Sequence, residues 1–99
     1  MPGIRNDEHV QELINAIVSL QNTEDCADFF EDLCTVAELK AMAQRFHVAR
    51  LLSEKKIYND IVSETQASTA TISRVNRALL YGSGGYAKIL RKQAEENKK

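Results

Sequence analysis

The hydrophobic positions along this chain recur at helical spacing, and they predict an all-α protein. In the first predicted helix the apolar residues follow at i, i+3, i+4, i+7 and i+8, the spacing that places side chains on one helix face. These residues are Val10, Leu13, Ile14, Ile17 and Val18. The pattern of the whole chain predicts six helices and no strand, at about residues 7–20, 23–33, 36–54, 57–65, 69–81 and 86–96.

Polar residues mark where several of these helices begin. Asn6 or Asp7 can cap the first helix, and Thr23 can cap the second. Thr35 and Glu38 have the spacing of a capping box, in which a hydroxyl and a carboxylate bind backbone N–H groups at a helix start. The third helix carries an apolar stripe that we expect to be buried, made of Leu39, Met42, Ala43, Phe46, Ala49 and Leu52.

Residues 57–81 predict two helices joined by a tight turn, a helix-turn-helix. Apolar residues stand where the two helices would cross: Ile57, Ile61, Val62, Ala67, Ile72, Val75 and Leu79. Ser68 is placed to cap the second helix. Gln66 occupies the turn position that usually holds glycine, so we expect it to adopt a left-handed backbone at a cost on the order of 1 kcal/mol.

The second helix of this pair has the features of a DNA recognition helix. Its first residues are small, which allows a helix to approach base edges in the major groove. We expect Thr69, Ala70 and Ser73 to face bases. Arg74 and Arg77 would reach guanine or phosphate, and lysines before the first helix would contact the flanking DNA backbone. The candidate DNA-binding residues are Lys55, Lys56, Ser68, Thr69, Ala70, Thr71, Ser73, Arg74 and Arg77.

The net charge of −1 hides a difference between the two parts of the chain. Residues 1–38 carry nine acids and one base, whereas residues 39–99 carry twelve bases and five acids. The basic part can therefore face phosphate while the acidic part does not. Two solvated surfaces without a nucleic-acid partner would give the same counts, so the charge alone does not decide.

Length and composition narrow the class of protein. The 99 residues predict a single domain over residues 1–99. We find neither a signal peptide nor an apolar run of about 18 residues, so we expect a cytoplasmic protein without a membrane segment. Cys26, Cys34, His9 and His47 do not have the spacing of a zinc site, and we expect buried free thiols and no metal.

No arrangement typical of an enzyme stands out. There is no evident Ser-His-Asp set, paired acid or metal cluster. The glycine-rich segment at residues 82–85 lacks the preceding strand and the lysine of a phosphate-binding loop. His47 lies on the same helix as Arg45 and is more typical of a surface or partner contact than of catalysis. We therefore predict no catalytic residue and no cofactor.

Several segments resemble the Trp repressor family, and more narrowly its Trp-repressor-related subgroup labelled YerC/YecD. They are Leu33-Cys34-Thr35-Val36-Ala37-Glu38, Ala43-Gln44-Arg45, Leu51-Leu52 and Ala70-Thr71-Ile72-Ser73-Arg74. The resemblance covers about half of the chain well. It implies an intertwined homodimer formed through the N-terminal helices. Its two helix-turn-helix units would read half-sites about 34 Å apart on a roughly palindromic duplex DNA.

The family binds tryptophan as a corepressor, and three positions here resemble that pocket. Thr35 matches the pocket threonine, while Arg45 and Arg74 match the two arginines that enclose the indole ring. The tryptophan-binding members have glycine after the second arginine, where this chain has Val75, and they have one more residue between the arginines. A β-branched side chain at that position would fill the indole space. We therefore expect no tryptophan binding, and an effector, if one exists, is not identified.

Other interpretations of the same residues stay open at this point. The chain could be a helical protein-interaction module whose acidic part docks a basic partner and whose helix-turn-helix binds no DNA. It could also be a small bundle in which two helices meet at a short turn by chance. Arg45 could be a solvent-facing or ion-paired residue rather than a ligand, and Tyr58 and Asn59 could contact the DNA backbone or only solvent.

Overall fold

The computed structural model describes residues 3–97, and every regular element in that range is helical. The elements are a 3-10 helix at Ile4–Asn6, followed by α1 (Glu8–Val18), α2 (Thr23–Leu33), α3 (Val36–Ser53), α4 (Tyr58–Thr65), α5 (Thr69–Tyr81) and α6 (Gly85–Asn97). The predicted all-α class with six helices is confirmed. The short 3-10 helix was not predicted, because a three-residue element carries no periodicity to detect.

The chain divides into two compact units, Met1–Leu39 and Lys40–Lys99. The first unit contains the 3-10 helix, α1, α2 and the start of α3. The second contains most of α3 together with α4, α5 and α6. The prediction of a single domain over residues 1–99 stays a prediction.

Short side chains cap the helices of the first unit. The Asp7 carboxylate accepts hydrogen bonds from the backbone N–H groups of His9 and Val10 at 2.9 and 3.0 Å, so α1 begins at Glu8. The cap of α2 is Asn22, whose side-chain oxygen accepts the N–H of Asp25 at 2.8 Å. The prediction of Thr23 as this cap was wrong by one residue. Asparagine is the stronger cap, and Thr23 is instead the first helical residue.

The predicted capping box at the start of α3 is confirmed. The backbone N–H of Thr35 donates to the Glu38 carboxylate at 2.8 Å, and the N–H of Glu38 donates to the Thr35 hydroxyl at 3.1 Å. The bond from the Thr35 backbone, supported by its hydroxyl, holds the pKa of Glu38 below its ordinary value. Because a lowered pKa favours the ionised acid, this cap is complete at neutral pH and weakens as the pH falls through that pKa.

The hydrophobic core of the described residues lies in the second unit. Its buried side chains are Val48, Ala49, Leu51, Ile61, Ala67, Ile72 and Val75. Half-buried side chains pack against it from α3, α4 and α6: Leu52, Val62, Tyr86 and Leu90. The helix-turn-helix is therefore built around the core rather than attached to it, since α4 and α5 supply three of the buried residues.

Two sequence predictions about burial need correction. Of the stripe predicted on α3 only Ala49 is fully buried, and Val48 and Leu51 on another face of the helix enter the core instead. Apolar residues lie on more than one face of α3, so periodicity alone did not identify the face that neighbours cover. Ile57, predicted at the helix crossing, is 62% exposed because it is the N-cap of α4 and not part of that helix.

The first unit has no fully buried side chain among residues 3–39. Along α1 the large apolar residues remain open to solvent, with Ile14 at 44% and Ile17 at 36% exposure. An apolar cleft of about 660 Å³ adjoins them, and its lining includes Leu20, Phe30 and Leu39. Within this unit α1 and α2 therefore leave their apolar stripes largely uncovered.

Gly82 ends α5 at a place where no larger residue fits. Its N–H donates to the Ala78 carbonyl at 2.8 Å, and a Cβ at Gly82 would collide with that carbonyl group. We expect Gly82→Ala to lower the free energy of unfolding by about 1–3 kcal/mol, because the α5–α6 connection must shift. Urea unfolding followed by circular dichroism measures this.

Gly85→Ala is the matched control for that substitution. A Cβ at Gly85 would meet nothing within 4 Å, so the same exchange three residues later is expected to change stability by less than about 0.5 kcal/mol or to raise it slightly. Equal losses for the two variants would contradict the steric explanation of Gly82.

Candidate nucleic-acid interface

The turn between α4 and α5 is fixed by hydrogen bonds from short polar side chains. Gln66 has a left-handed backbone, with φ of 62°, as predicted from the sequence. Its side-chain amide donates to the Ser63 carbonyl at 2.9 Å. The Thr65 hydroxyl donates to the Ile61 carbonyl at 2.7 Å and accepts the N–H of Ala67 at 3.1 Å. These bonds determine the direction in which the chain enters α5.

Ser68 caps α5, as predicted. Its hydroxyl accepts the backbone N–H of Thr71 at 3.1 Å and donates to the Thr71 hydroxyl at the same distance. The side chains of Ser68 and Thr71, both candidate DNA-binding residues, are thus hydrogen-bonded to each other, and Thr71 is half-buried. Their contribution to an interface is therefore to define the first turn of α5, where the short side chains of Thr69 and Ala70 are exposed.

One face of α5 is exposed and the other is buried. Ile72 and Val75 point into the core. The opposite face is exposed and consists of Thr69, Ala70, Ser73, Arg74 and Arg77. The prediction that α5 has one buried apolar face and one exposed polar face is confirmed. The contacts of the exposed residues with DNA stay a prediction. The small residues come first and the arginines follow, which suits close approach at the helix N-terminus and anchoring further along.

The candidate cations are available to an external anion. Lys55 and Lys56 are exposed in the connection between α3 and α4. Among residues 3–97 the only side chains of opposite charge type within ion-pair distance are His9 and Glu12. Lys55, Arg74 and Arg77 therefore have no carboxylate partner in that range. Because α5 contains no acidic residue, nothing on this helix offsets its positive charge.

Lys55 has an unusual backbone that was not predicted. It adopts the left-handed conformation, with φ of 66°. Its N–H donates to the Leu52 carbonyl at 3.0 Å, and the N–H of Lys56 donates to the Leu51 carbonyl at 3.1 Å. This pair of bonds is the Schellman arrangement that ends helices, usually with glycine at the left-handed position. Because glycine is missing here, this turn was not predicted from the sequence.

Gln44 is a structural residue of the site that the sequence analysis missed. Its side-chain amide donates to the Thr65 carbonyl at 3.1 Å and joins α3 to the last turn of α4. Its direct neighbour Arg45 and nearby His47 are also polar, so nothing in the sequence distinguished Gln44 as the residue that makes this bond. The bond positions the turn that precedes the recognition helix.

The three residues predicted for an effector pocket have different environments. Thr35 belongs to the first unit, and its hydroxyl and N–H are used in the capping box. Arg45 is half-buried and Arg74 is exposed, both in the second unit. Val75 is 2% exposed in the core, and whether it excludes tryptophan stays a prediction.

The described residues also include histidine, cysteine and acidic side chains that could carry other chemistry. No group of three or more His, Cys, Asp or Glu side chains that could hold a metal ion occurs among them. Cys26 and Cys34 are free thiols, but both are half-buried rather than buried. None of the helices in the described residues is long and apolar enough to cross a membrane.

The capped α5, its exposed basic face and its packing on α4 define a helix-turn-helix protein of the DNA-binding class. The chain belongs to the Trp repressor family, since the family model described as Trp repressor protein matches residues 8–94. The similarity extends to the YerC-type subgroup. The uncharacterized protein YerC of Bacillus subtilis (strain 168) is 49% identical over 83 residues, covering 84% of this chain and 80% of YerC.

Two solved structures share the fold. A crystal structure of a candidate Trp repressor from Staphylococcus aureus superposes with a TM-score of 0.88 at 41% identity, covering 95% of this chain and 96% of that one. A TrpR-like protein from Eubacterium eligens gives a TM-score of 0.87 at 46% identity, covering 91% and 93% of the two chains. The predicted Trp-repressor-like fold is confirmed, and family and fold together assign the chain to the DNA-binding transcription regulators.

Proposed function

We propose that this protein is a homodimeric, sequence-specific repressor that acts in the cytoplasm on a palindromic operator. The observation that carries the proposal is the exposed face of α5, where short polar residues at a capped helix start are followed by Arg74 and Arg77. The buried face of the same helix, with Ile72 and Val75, packs into the core. A reading element of this kind needs little rearrangement when it enters the major groove.

The first unit supports the homodimer. A stable domain buries its large apolar side chains, yet Ile14 and Ile17 of α1 remain well exposed in the single chain. The adjoining cleft between Leu20, Phe30 and Leu39 has the apolar lining that such side chains require. In a two-fold dimer each copy has both the apolar face of α1 and the apolar cleft, so the α1 of each copy can pack on the first unit of the other.

A two-fold dimer determines the form of the operator. Each copy would place one α5 in the major groove, with half-site centres about 34 Å apart, or one turn of DNA. Thr69, Ala70 and Ser73 would read base edges. Arg74 and Arg77 would bind guanine or phosphate, and Lys55 and Lys56 would bind the flanking DNA backbone. The contacts with phosphate would be charge-assisted hydrogen bonds.

Selection of duplexes from a random pool, read by sequencing at moderate salt, tests the proposal. We expect a palindromic site of that spacing, and we expect the same site with and without L-tryptophan because of Val75. No enrichment by a folded dimer, together with a stable complex with another protein, would support the interaction-module alternative instead.

Arg74→Ala should weaken specific DNA binding by about 1–3 kcal/mol, because one charge-assisted contact per half-site is lost. The measurement is the operator Kd by fluorescence anisotropy. Lys88→Ala removes an exposed cation from α6 and is the control, with an expected change below about threefold. If the two variants bind the operator equally well, α5 is not the element that reads the DNA.

A further inference from the structure

A cleft of about 630 Å³ in the second unit is not used by the proposed DNA contacts of α5. It lies where the end of α3 meets α5 and α6. Leu52, Leu79 and Leu90 supply apolar walls, and all three are half-buried. Its volume is within the range of small-molecule sites, which are mostly apolar with a few placed polar groups.

The charged side chains that line this cleft are both cations. They are Lys55, which follows α3, and Arg91 of α6, and the lining also includes Asn76 of α5. Neither cation has a carboxylate within ion-pair distance among residues 3–97. Apolar walls combined with two unpaired cations are complementary to a molecule that has an apolar body and a single anionic end.

We propose that this cleft binds a small amphipathic monocarboxylate, and that the bound ligand weakens DNA binding. The leucines would cover the apolar body of the ligand, while Lys55 and Arg91 would hold its carboxylate. The site differs from the family-type pocket residues, since none of Thr35, Arg45 and Arg74 lines the cleft.

The coupling to DNA rests on the proposed function and acts through Lys55. This lysine lines the cleft and also belongs to the candidate DNA-backbone contacts. Its left-handed backbone is held by the turn at the end of α3, so its side chain starts from a fixed place. A carboxylate that pairs with Lys55 competes with a DNA phosphate for the same ammonium group. Ligand and operator therefore oppose each other, and the antagonism is reciprocal.

The first test measures binding without DNA. Octanoate is titrated into ¹⁵N-labelled protein and followed by NMR, with octan-1-ol as the neutral probe of equal chain length. We expect saturable shifts centred on Asn76, Leu79 and Leu90, and at least about tenfold weaker binding of the alcohol because it lacks the charge. Equal affinity of the two probes, or shifts centred elsewhere, would overturn the proposal.

A pair of α6 variants tests the site itself. Arg91→Gln removes a cation that lines the cleft, whereas Lys88→Gln removes one that does not. Both residues are exposed, so both variants should fold. We expect octanoate affinity to fall about fivefold or more for Arg91→Gln and to stay within about twofold for Lys88→Gln. Equal affinities would assign the binding to another surface.

The last arm separates this inference from the proposed function. The operator Kd with saturating octanoate is divided by the Kd without it, for the unaltered protein and for Lys55→Gln. We expect this ratio to be about three or more in the unaltered protein and to fall towards one in the variant. A ratio of one in the unaltered protein overturns the coupling. If no duplex is bound at all, the proposed function fails, while the titration without DNA still decides whether the cleft is a ligand site.

Discussion

Ile72→Ala is expected to destabilise the protein more than any other single truncation in the recognition helix, by about 2–5 kcal/mol. Ile72 is 0% exposed and belongs to the core that α3, α4 and α5 share. Truncation leaves a cavity between helices that cannot close without moving α5. Since a domain of this size is stable by only about 5–15 kcal/mol, the loss is a large share of the total.

The measurement is urea unfolding followed by far-UV circular dichroism at one fixed protein concentration. Ile57→Ala is the matched control, because the same side chain is truncated where it is 62% exposed. Its expected cost is within about 0.5–1 kcal/mol. Comparable losses for both variants would mean that the helix crossing is not packed around Ile72.

Ile17→Asp is expected to dissociate the proposed dimer and thereby abolish operator binding. Ile17 lies on the apolar face of α1 and lines the cleft of the first unit. Covering this face with a second copy would bury the new carboxylate, which costs several kcal/mol when it is unpaired. We expect self-association to weaken at least about 100-fold, corresponding to about 2.7 kcal/mol.

Sedimentation velocity at several concentrations measures this change, and the anisotropy assay measures its effect on DNA. Asn15→Asp is the control, since it adds the same charge on an exposed position of α1 away from the apolar stripe. This variant should remain dimeric. A dimer of unchanged strength for Ile17→Asp would show that α1 does not form the interface.

The elements predicted best from the sequence are those set by local chemistry. The bounds of α5 and its Ser68 cap were predicted correctly because a short hydroxyl residue next to a helical apolar pattern is a sufficient signal. The left-handed Gln66 followed from its place in the turn. In the same way, Thr35 and Glu38 identified the start of α3.

The features that were missed depend on which parts of the chain become neighbours. Apolar spacing allows either the face of α3 with Phe46 or the face with Val48 to be buried by neighbouring helices. In the structure Val48 is the fully buried residue. The cleft near Lys55 joins residues from three separate segments, so no local motif describes it. The left-handed Lys55 was missed because the turn that ends α3 lacks the glycine that usually marks it.

The left-handed backbone at Gln66 also has a consequence for how this protein can change. A non-glycine residue in this conformation costs on the order of 1 kcal/mol, and a glycine there would remove that cost but also the side-chain bond to the Ser63 carbonyl. Because the two effects are of similar size, glutamine and glycine should give this turn nearly equal stability. The turn can therefore vary between these two residues without loss of the fold, independently of the exposed residues of α5 that would determine operator preference.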